Sequence, residues 1–279
     1  MTETEWLAAS DPQPMLALLR NSATERKLRL FAVASCHRVG GSLPDACRHS
    51  VAIAERHADG AATDWDLLNA YKASYSAWRR AGASFAAHAG AGAARAVCMG
   101  STDPARRAER SREIGVVTAA SYAAIHAAES VAFATARDAI DPLKVVRHHY
   151  LLKIEHRREY SSVGFWIYEV DDQGWADAKA AERSAQCRLL HDIVGNPFRP
   201  AAALDPACVA WRGEVVRELA WAAYDEWLPE GTLNPARLAV LADALEDTGC
   251  TDAELLGHLR GPGPHVRGCW AVDLVLGKS

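Results

Sequence analysis

Asn234-Pro-Ala-Arg-Leu-Ala-Val-Leu-Ala-Asp-Ala-Leu-Glu-Asp-Thr-Gly249 is the stretch on which the fold class turns. Asn234 is of the type that caps a helix by accepting an otherwise unpaired backbone amide. Pro235 is preset for the first helical position, and Gly249 supplies the residue that most readily ends a helix at its far side. The run to Glu246 therefore reads as one helix, and the same punctuation recurs in both directions along the chain.

Toward the C-terminus, Thr251 with Glu254 forms a capping box for a short helix ending at Arg260. After Gly261-Pro-Gly-Pro264, Val266 to Leu276 suits a closing helix better than a strand with Trp270, Val272, Leu274 and Leu276 on one side. Toward the N-terminus, Asp205-Pro206 precedes a helix over 215–227, and Asp177 to Val194 is helical, stopped by Gly195 and Asn196-Pro197. Asp141-Pro142 opens a helix through Tyr160, and Val163 to Val170 suits strand and helix equally. Asp103-Pro104 opens a segment to about Ile140 with a bend near Gly115. Thr63 opens a long helix whose Trp65, Leu68, Tyr71, Tyr75, Trp78, Gly82 and Phe85 recur at threes and fours, the pattern of a buried seam. Ser42 to His57 is a further helix, Ser22 with Glu25 caps one over Thr24 to Val39, and Met15 to Arg20 and the Thr2/Glu5 capping box complete the series. The expected fold is all-α: an antiparallel helical array or bundle over 1–194, with an Ala-rich middle, and a compact C-terminal helical subdomain over 195–279, packed on the first as one unit.

With 279 residues the chain is long enough to bury a core without disulfides, and 49 % hydrophobic with 24 % charged residues is a globular rather than a disordered balance. A formal net charge of -4 gives no global attraction to nucleic acid or an anionic membrane. Seven cysteines, an odd number with no Cys-x-x-Cys pair, suit reduced, buried thiols. With an acidic start at Met1-Thr-Glu-Thr-Glu5 and no run of the roughly 18 apolar residues a membrane span requires, the expected location is cytoplasmic.

Glu25-Arg-Lys-Leu-Arg-Leu-Phe-Ala-Val-Ala-Ser-Cys-His-Arg38, Gly195-Asn-Pro-Phe-Arg-Pro200, Leu241-Ala-Asp-Ala-Leu-Glu-Asp-Thr-Gly-Cys250 and Gly261-Pro-Gly-Pro-His-Val-Arg-Gly-Cys-Trp270 resemble a large paralogous family, without an assigned activity, typical of planctomycete bacteria. The resemblance covers both ends of the chain and little of the middle. That family usually pairs cysteines and arginines where this chain has Ser35-Cys36-His37-Arg38. The resemblance implies a helical fold and supplies no mechanism.

Several constellations carry chemistry. His126-x-x-Glu129 and His156-x-x-Glu159, read as lying on two helices, set a histidine and a carboxylate one turn apart and offer four ligands to a divalent metal in a bundle, in the reverse order of the Glu-x-x-His pairs of di-iron bundles; the simpler reading is two solvated faces. Cys36-His37 with Cys47-x-His49 lacks the tight knuckle of structural zinc and reads as core thiols beside surface histidines. Cys269 or Cys250 with His258 or His265 is a conceivable nucleophile and base, although a thiol packed on the neighbouring indole is the ordinary explanation. Arg106, Arg107, Arg110 and Arg112 alternate with carboxylates like a solvated face, whereas Arg147-His148-His149 with Lys153, His156, Arg157 and Arg158 is dense enough to meet phosphate or an acidic partner. Without a complete acid/base or nucleophile arrangement, the leading expectation is a non-enzymatic helical scaffold or protein-interaction module with no cofactor. Its binding surface is expected to comprise Phe198, Arg199, His265, Arg267 and Trp270, aromatic and arginine residues being those that dominate interfaces. A metal-dependent helical-bundle enzyme using the two His/Glu pairs is the alternative, and nucleic-acid binding through 147–158 the third.

Overall fold

The protein is described here from a computed structural model, which covers residues 1–39, 41, 43–80, 112–135, 145–156, 159–170, 172–199, 204–205, 208 and 214–278. Its packed body is all-α, an array of helices joined by short connections. The helices are α1 (Glu3–Leu7), α2 (Pro12–Leu18), α3 (Glu25–His37), α4 (Asp45–Ala58), α5 (Asp64–Arg80), α6 (Arg112–Thr135), α7 (Gln173–Val194), α8 (Val215–Asp225), α9 (Pro235–Asp247), α10 (Ala253–Leu259) and α11 (Trp270–Leu276). None among the described residues is long and apolar enough to cross a membrane.

The caps explain most of these boundaries. Thr2 accepts the Glu5 amide while Glu5 accepts the Thr2 amide, closing the capping box of α1. Asn234 accepts the Ala236 amide ahead of Pro235, and Gly195 ends α7 at φ 75°. Two caps sit elsewhere than expected: Thr24, not Ser22, caps α3, and Asp252, not Thr251, caps α10 by accepting two amides.

One segment departs from the helical expectation. Val145–His156 (β1) and Glu159–Val170 (β2) form an antiparallel hairpin in which Val145 pairs with Val170 and His156 with Glu159. The helix expected through Tyr160 is therefore a strand, and 163–170 resolves as strand. The two segments are rich in valine, isoleucine, tyrosine, phenylalanine and tryptophan, which suit a pleated ladder better than a helix.

Helix α3 sits at the middle of the body against α4, α6 and α7, and Arg38 reaches from its end to hold both oxygens of Glu182 on α7, at 2.8 and 2.9 Å. The aromatic seam expected on α5 is displaced. The buried face carries Leu67, Ala70, Ser74 and Ala77, while Trp65 is 65 % exposed and Tyr75 36 %. Small residues let α4 and α5 approach closely, and the Ser50 hydroxyl donates across to Ala70 O at 2.9 Å. Of the expected stripe, Tyr71 and Trp78 are half-buried and pack against the core from its edge, the rings stacking Tyr71 on Tyr75 and Tyr75 on Trp78, and Gly82 and Phe85 lie outside the described residues.

Two apolar clusters form the interior. The first gathers Trp6, Phe31, Leu67, Leu189 and Ile193 with their neighbours; the second gathers Val216, Tyr224, Leu241, Leu255, Cys269 and Val272 in the C-terminal lobe of α8 to α11. The loop 260–269 joins them, because Val266 belongs to the first cluster and Cys269 to the second. That loop lies tight on α3. A Cβ at Gly268, whose φ is 90°, would come within 2.8 Å of Leu30, so both the backbone conformation and the close approach require glycine.

Candidate metal centre

Asp192 belongs to the last turn of α7, among Leu189, Leu190 and Ile193, and is itself only 2 % exposed. A carboxylate in such an apolar face is costly unless it is paired, and its partners come from the C-terminal lobe. Oδ2 accepts the Val266 amide at 2.8 Å. Oδ1 faces His265 Nδ1 at 2.9 Å and His258 Nε2 at 3.0 Å. The same His258 nitrogen lies 3.3 Å from Cys269 Sγ. The four donor atoms of Asp192, His258, His265 and Cys269 all lie within 4.8 Å of one another, and this is the metal-ligating group found among the described residues.

Local structure explains the convergence. Gly195 stops α7 just beyond Asp192, and its lack of a side chain admits the Trp270 ring, which a Cβ would meet at 3.3 Å. Asp252 starts α10 so that His258 falls in its last turn. The Gly263–Pro264 peptide is cis, and the loop then turns His265 inward and delivers Cys269 to the start of α11. The His258 ring packs edge-on to His265 at 4.9 Å and lies 5.0 Å from the Trp270 ring.

The hydrogen-bond roles constrain the chemistry. Gly261 O, 3.2 Å from His265 Nε2, can only accept, so Nε2 carries a proton. His265 Nδ1 then either carries a second proton toward Asp192 or presents a lone pair. Without a metal the first arrangement is the stable one: burial lowers the His265 pKa, but the hydrogen bond and charge of Asp192 outweigh it and hold the imidazole above its ordinary range. Burial likewise raises the Asp192 carboxyl, and the hydrogen bonds from His258 and His265 more than offset it, leaving it below the usual carboxylate range. The Cys269 thiol is pushed well above its ordinary range, by burial first and by Asp192 second.

A divalent cation would call for the second arrangement. His265 would keep Nε2–H on Gly261 O and turn its Nδ1 lone pair inward, the outer-partner pattern that fixes the tautomer of metal-ligating histidines. Asp192 keeps Oδ2 on Val266 and offers Oδ1. Two imidazoles, a thiolate and a carboxylate carry two negative charges, which one divalent ion neutralises. Donors around a zinc-sized ion stand roughly 3.3–3.7 Å apart, given bonds of about 2.0–2.3 Å, so the closest pairs, at 2.9 and 3.0 Å, would open by a few tenths of an ångström and separations toward the 4.8 Å limit would close by about 1 Å. The donor set fits zinc or cobalt better than magnesium or calcium, which prefer oxygen.

The geometry does not suit a thiol nucleophile. Such a site presents one imidazole nitrogen to sulfur and the other to an orienting carboxylate, whereas here His258 Nε2 faces both. Cys269 is also 0 % exposed, so no substrate reaches its sulfur, and Cys250 packs separately in the core of the C-terminal lobe.

The other expected sites are placed as follows. His126 and Glu129 are both buried on α6, 3.3 Å apart, and Lys179 of α7 stands 3.4 Å from Glu129. His156 and Glu159 lie on β1 and β2, so the expected pair of two-helix ligand motifs is not formed; a strand does not place residues three apart on one helical face. The 147–158 segment is likewise strand over its described part, which removes the helix face expected for phosphate, and Arg157 and Arg158 lie outside the described residues, as do Arg106, Arg107 and Arg110. Cys36 and Cys47 are buried in the body, and His37 packs on Trp227 at 5.5 Å.

Among the five expected binding residues, Phe198 is 40 % exposed and Arg199 is exposed between Glu3 and Glu254, at 2.9 and 3.0 Å. Arg199 and Trp270 share a groove of about 230 Å³ with Lys27, Asn196, Glu254 and Lys278. His265, at 3 % exposure, is interior and not presented on a surface, because Asp192 draws it inward. Arg267 stacks over Tyr224 at 4.8 Å and donates to Asp225 at 3.2 Å, also approaching Asp59 and Glu55. It is Arg260 that pairs with Asp243 and Glu246.

No protein-family model, curated protein or solved structure matches this chain.

Proposed function

We propose that this chain is a non-catalytic helical module whose C-terminal lobe is locked to the helical body by a divalent transition metal of the zinc class. Asp192 of the body and His258, His265 and Cys269 of the lobe hold the ion. The observation that carries this reading is the division of labour within the ligand residues. The outward atoms of Asp192 and His265 are engaged by the backbone at Val266 and Gly261, while their inward atoms converge with a second imidazole and a thiol. The metal's role is to fix one lobe orientation, and with it the groove and the exposed edge at Phe198 and Arg199 on which a protein partner docks.

Elemental analysis of protein purified without chelator tests the metal reading. One equivalent of zinc, iron or cobalt per chain is expected. Asp192→Ala or His265→Ala should remove it, and cobalt substitution of the wild type should give a thiolate charge-transfer band that Cys269→Ser abolishes. Absence of metal from wild-type protein, together with no uptake from added zinc or cobalt, would refute the proposal.

A further inference from the structure

We infer that His258 is the exchangeable ligand of this centre and that an azole nitrogen donor entering beside Trp270 takes its coordination position. The inference rests on reading the cluster as a metal centre.

The four ligands are not held alike. Asp192, His265 and Cys269 are each 3 % exposed or less. Asp192 is tied through its second oxygen to Val266 N–H, His265 through its second nitrogen to Gly261 O, and Cys269 is fixed where the loop enters α11. His258 has no such outer anchor. Both of its polar contacts are made by Nε2, to Asp192 and Cys269, which are themselves ligands; among the described residues no group bonds to its Nδ1. Its side chain is 21 % exposed, and its carrier α10 is a helix of seven residues. Ring packing against His265 and Trp270 is what remains to orient it.

The consequence follows from how metal-bound histidines are held. A ligating imidazole whose second nitrogen is anchored stays in place, and loss of such outer partners typically weakens a site by about 10–100-fold. His258 lacks that anchor, so it is the bond that yields when a competing donor arrives. Trp270, on which its ring rests, is also a wall of the groove containing Ile193 and Val194, the residues directly after Asp192. The partly exposed edge of the centre and the groove thus share one side chain. A donor that replaces an imidazole at least cost is another imidazole-like ring: neutral, planar, and able to pack at a tilt against the indole as His258 does. With three anchored protein ligands and one open position, the centre then has the coordination pattern of a site that accepts an exogenous ligand rather than a fully closed structural one.

The test uses full-length protein, cobalt as the ion and free imidazole as the probe. His258→Ala is expected to bind cobalt more weakly than wild type yet still reach one equivalent at saturating metal, because the three anchored ligands remain. Imidazole should restore a wild-type-like visible spectrum to it, and should perturb the wild-type spectrum without releasing metal. His258→Gln serves as a second variant should the alanine form fold poorly, with circular dichroism on both. His265→Ala is the contrast, expected to lose the ion and to gain nothing from imidazole. If His258→Ala and His258→Gln both fold yet lose cobalt as completely as His265→Ala, or if imidazole changes no spectrum, the inference is overturned while the metal centre stands. If wild-type protein takes up no metal, both readings fall together.

Discussion

Glu55 offers a test of the junction between body and lobe that is independent of any metal. It lies in the last turn of α4 and is 4 % exposed, yet among the described residues no side chain donates a hydrogen bond to its carboxylate. Its closest ionisable neighbours are His37 Nε2 at 3.9 Å, an imidazole that burial and Arg267 hold below its ordinary range, and the Arg267 guanidinium at 4.0 Å. Burial pushes its pKa up, Arg267 pulls it partly back and Asp59 raises it again, leaving it at about 7 against an ordinary 4.5. The folded state therefore holds the Glu55 proton longer than the unfolded chain does. Below the unfolded pKa both states are protonated and no penalty applies; as pH rises through the folded value, the fold must ionise a buried carboxyl, and stability falls. At 1.36 kcal/mol per pK unit the gap is worth about 3 kcal/mol, fully expressed by pH 8. Glu55→Gln keeps the shape and stays neutral. Urea denaturation at pH 4.5 and pH 8 should show the variant near wild-type stability at the lower pH and up to about 3 kcal/mol more stable at the higher. The comparison between variant and wild type cancels titrating groups that lie far from Glu55. A difference independent of pH, or a Gln variant less stable at pH 8, would refute the reasoning.

Two further outcomes follow from the same structure. Asp273 is 1 % exposed and receives both Arg26, at 2.7 and 3.1 Å, and Lys27, so Asp273→Asn takes the carboxylate from Lys27 and leaves Arg26 with Asp59 alone, and should cost roughly 3–5 kcal/mol by chemical denaturation; a loss below about 1 kcal/mol would show the network to be solvated. On α5, Leu67→Ala should cost about 2–5 kcal/mol and Trp65→Ala within about 0.5 kcal/mol, the reverse of what a buried aromatic seam requires, and equal losses would restore that seam.

What was legible in the sequence divides along the range of the interactions concerned. Capping is a matter of two or three residues, so Thr2 with Glu5, Asn234 with Pro235, and Gly195 disclosed their helices directly. The hairpin was only half legible. Residues 163–170 showed strand character, but their partner at 145–156 follows an Asp-Pro helix signal and declares itself only through cross-strand pairing. The α5 pattern misled because aromatic residues dominate any periodicity, while the face that α4 needs is the one bearing alanine and serine.

The four-donor cluster shows the same limit. His258, His265 and Cys269 lie within one short stretch and stood out there as a possible thiol site. Asp192, 66 residues before His258, carries no motif and converts that thiol reading into a four-donor one. The signal it did offer was chemical: an acidic residue set among Leu189, Leu190 and Ile193 on a helix has to find donors in the interior.

The junction as a whole has a consistent physical character. On one side of α11, Arg26 holds Asp273, Asp59 and Tyr224 together across α3, α4, α8 and α11, with Lys278 and Arg267 lying over the Tyr224 ring. At the start of the same helix, Asp192 gathers His258, His265 and the Val266 amide. An apolar seam between two lobes tolerates sliding by a residue, because one methyl group substitutes for another. Charged and hydrogen-bonded knots do not, since each displaced donor or acceptor is left buried and unpaired at a cost of about 1–3 kcal/mol or more. The two knots therefore contribute less to gross stability than to a single lobe orientation, and α11, which carries Asp273 and has Cys269 as its N-cap, is the element that both of them touch.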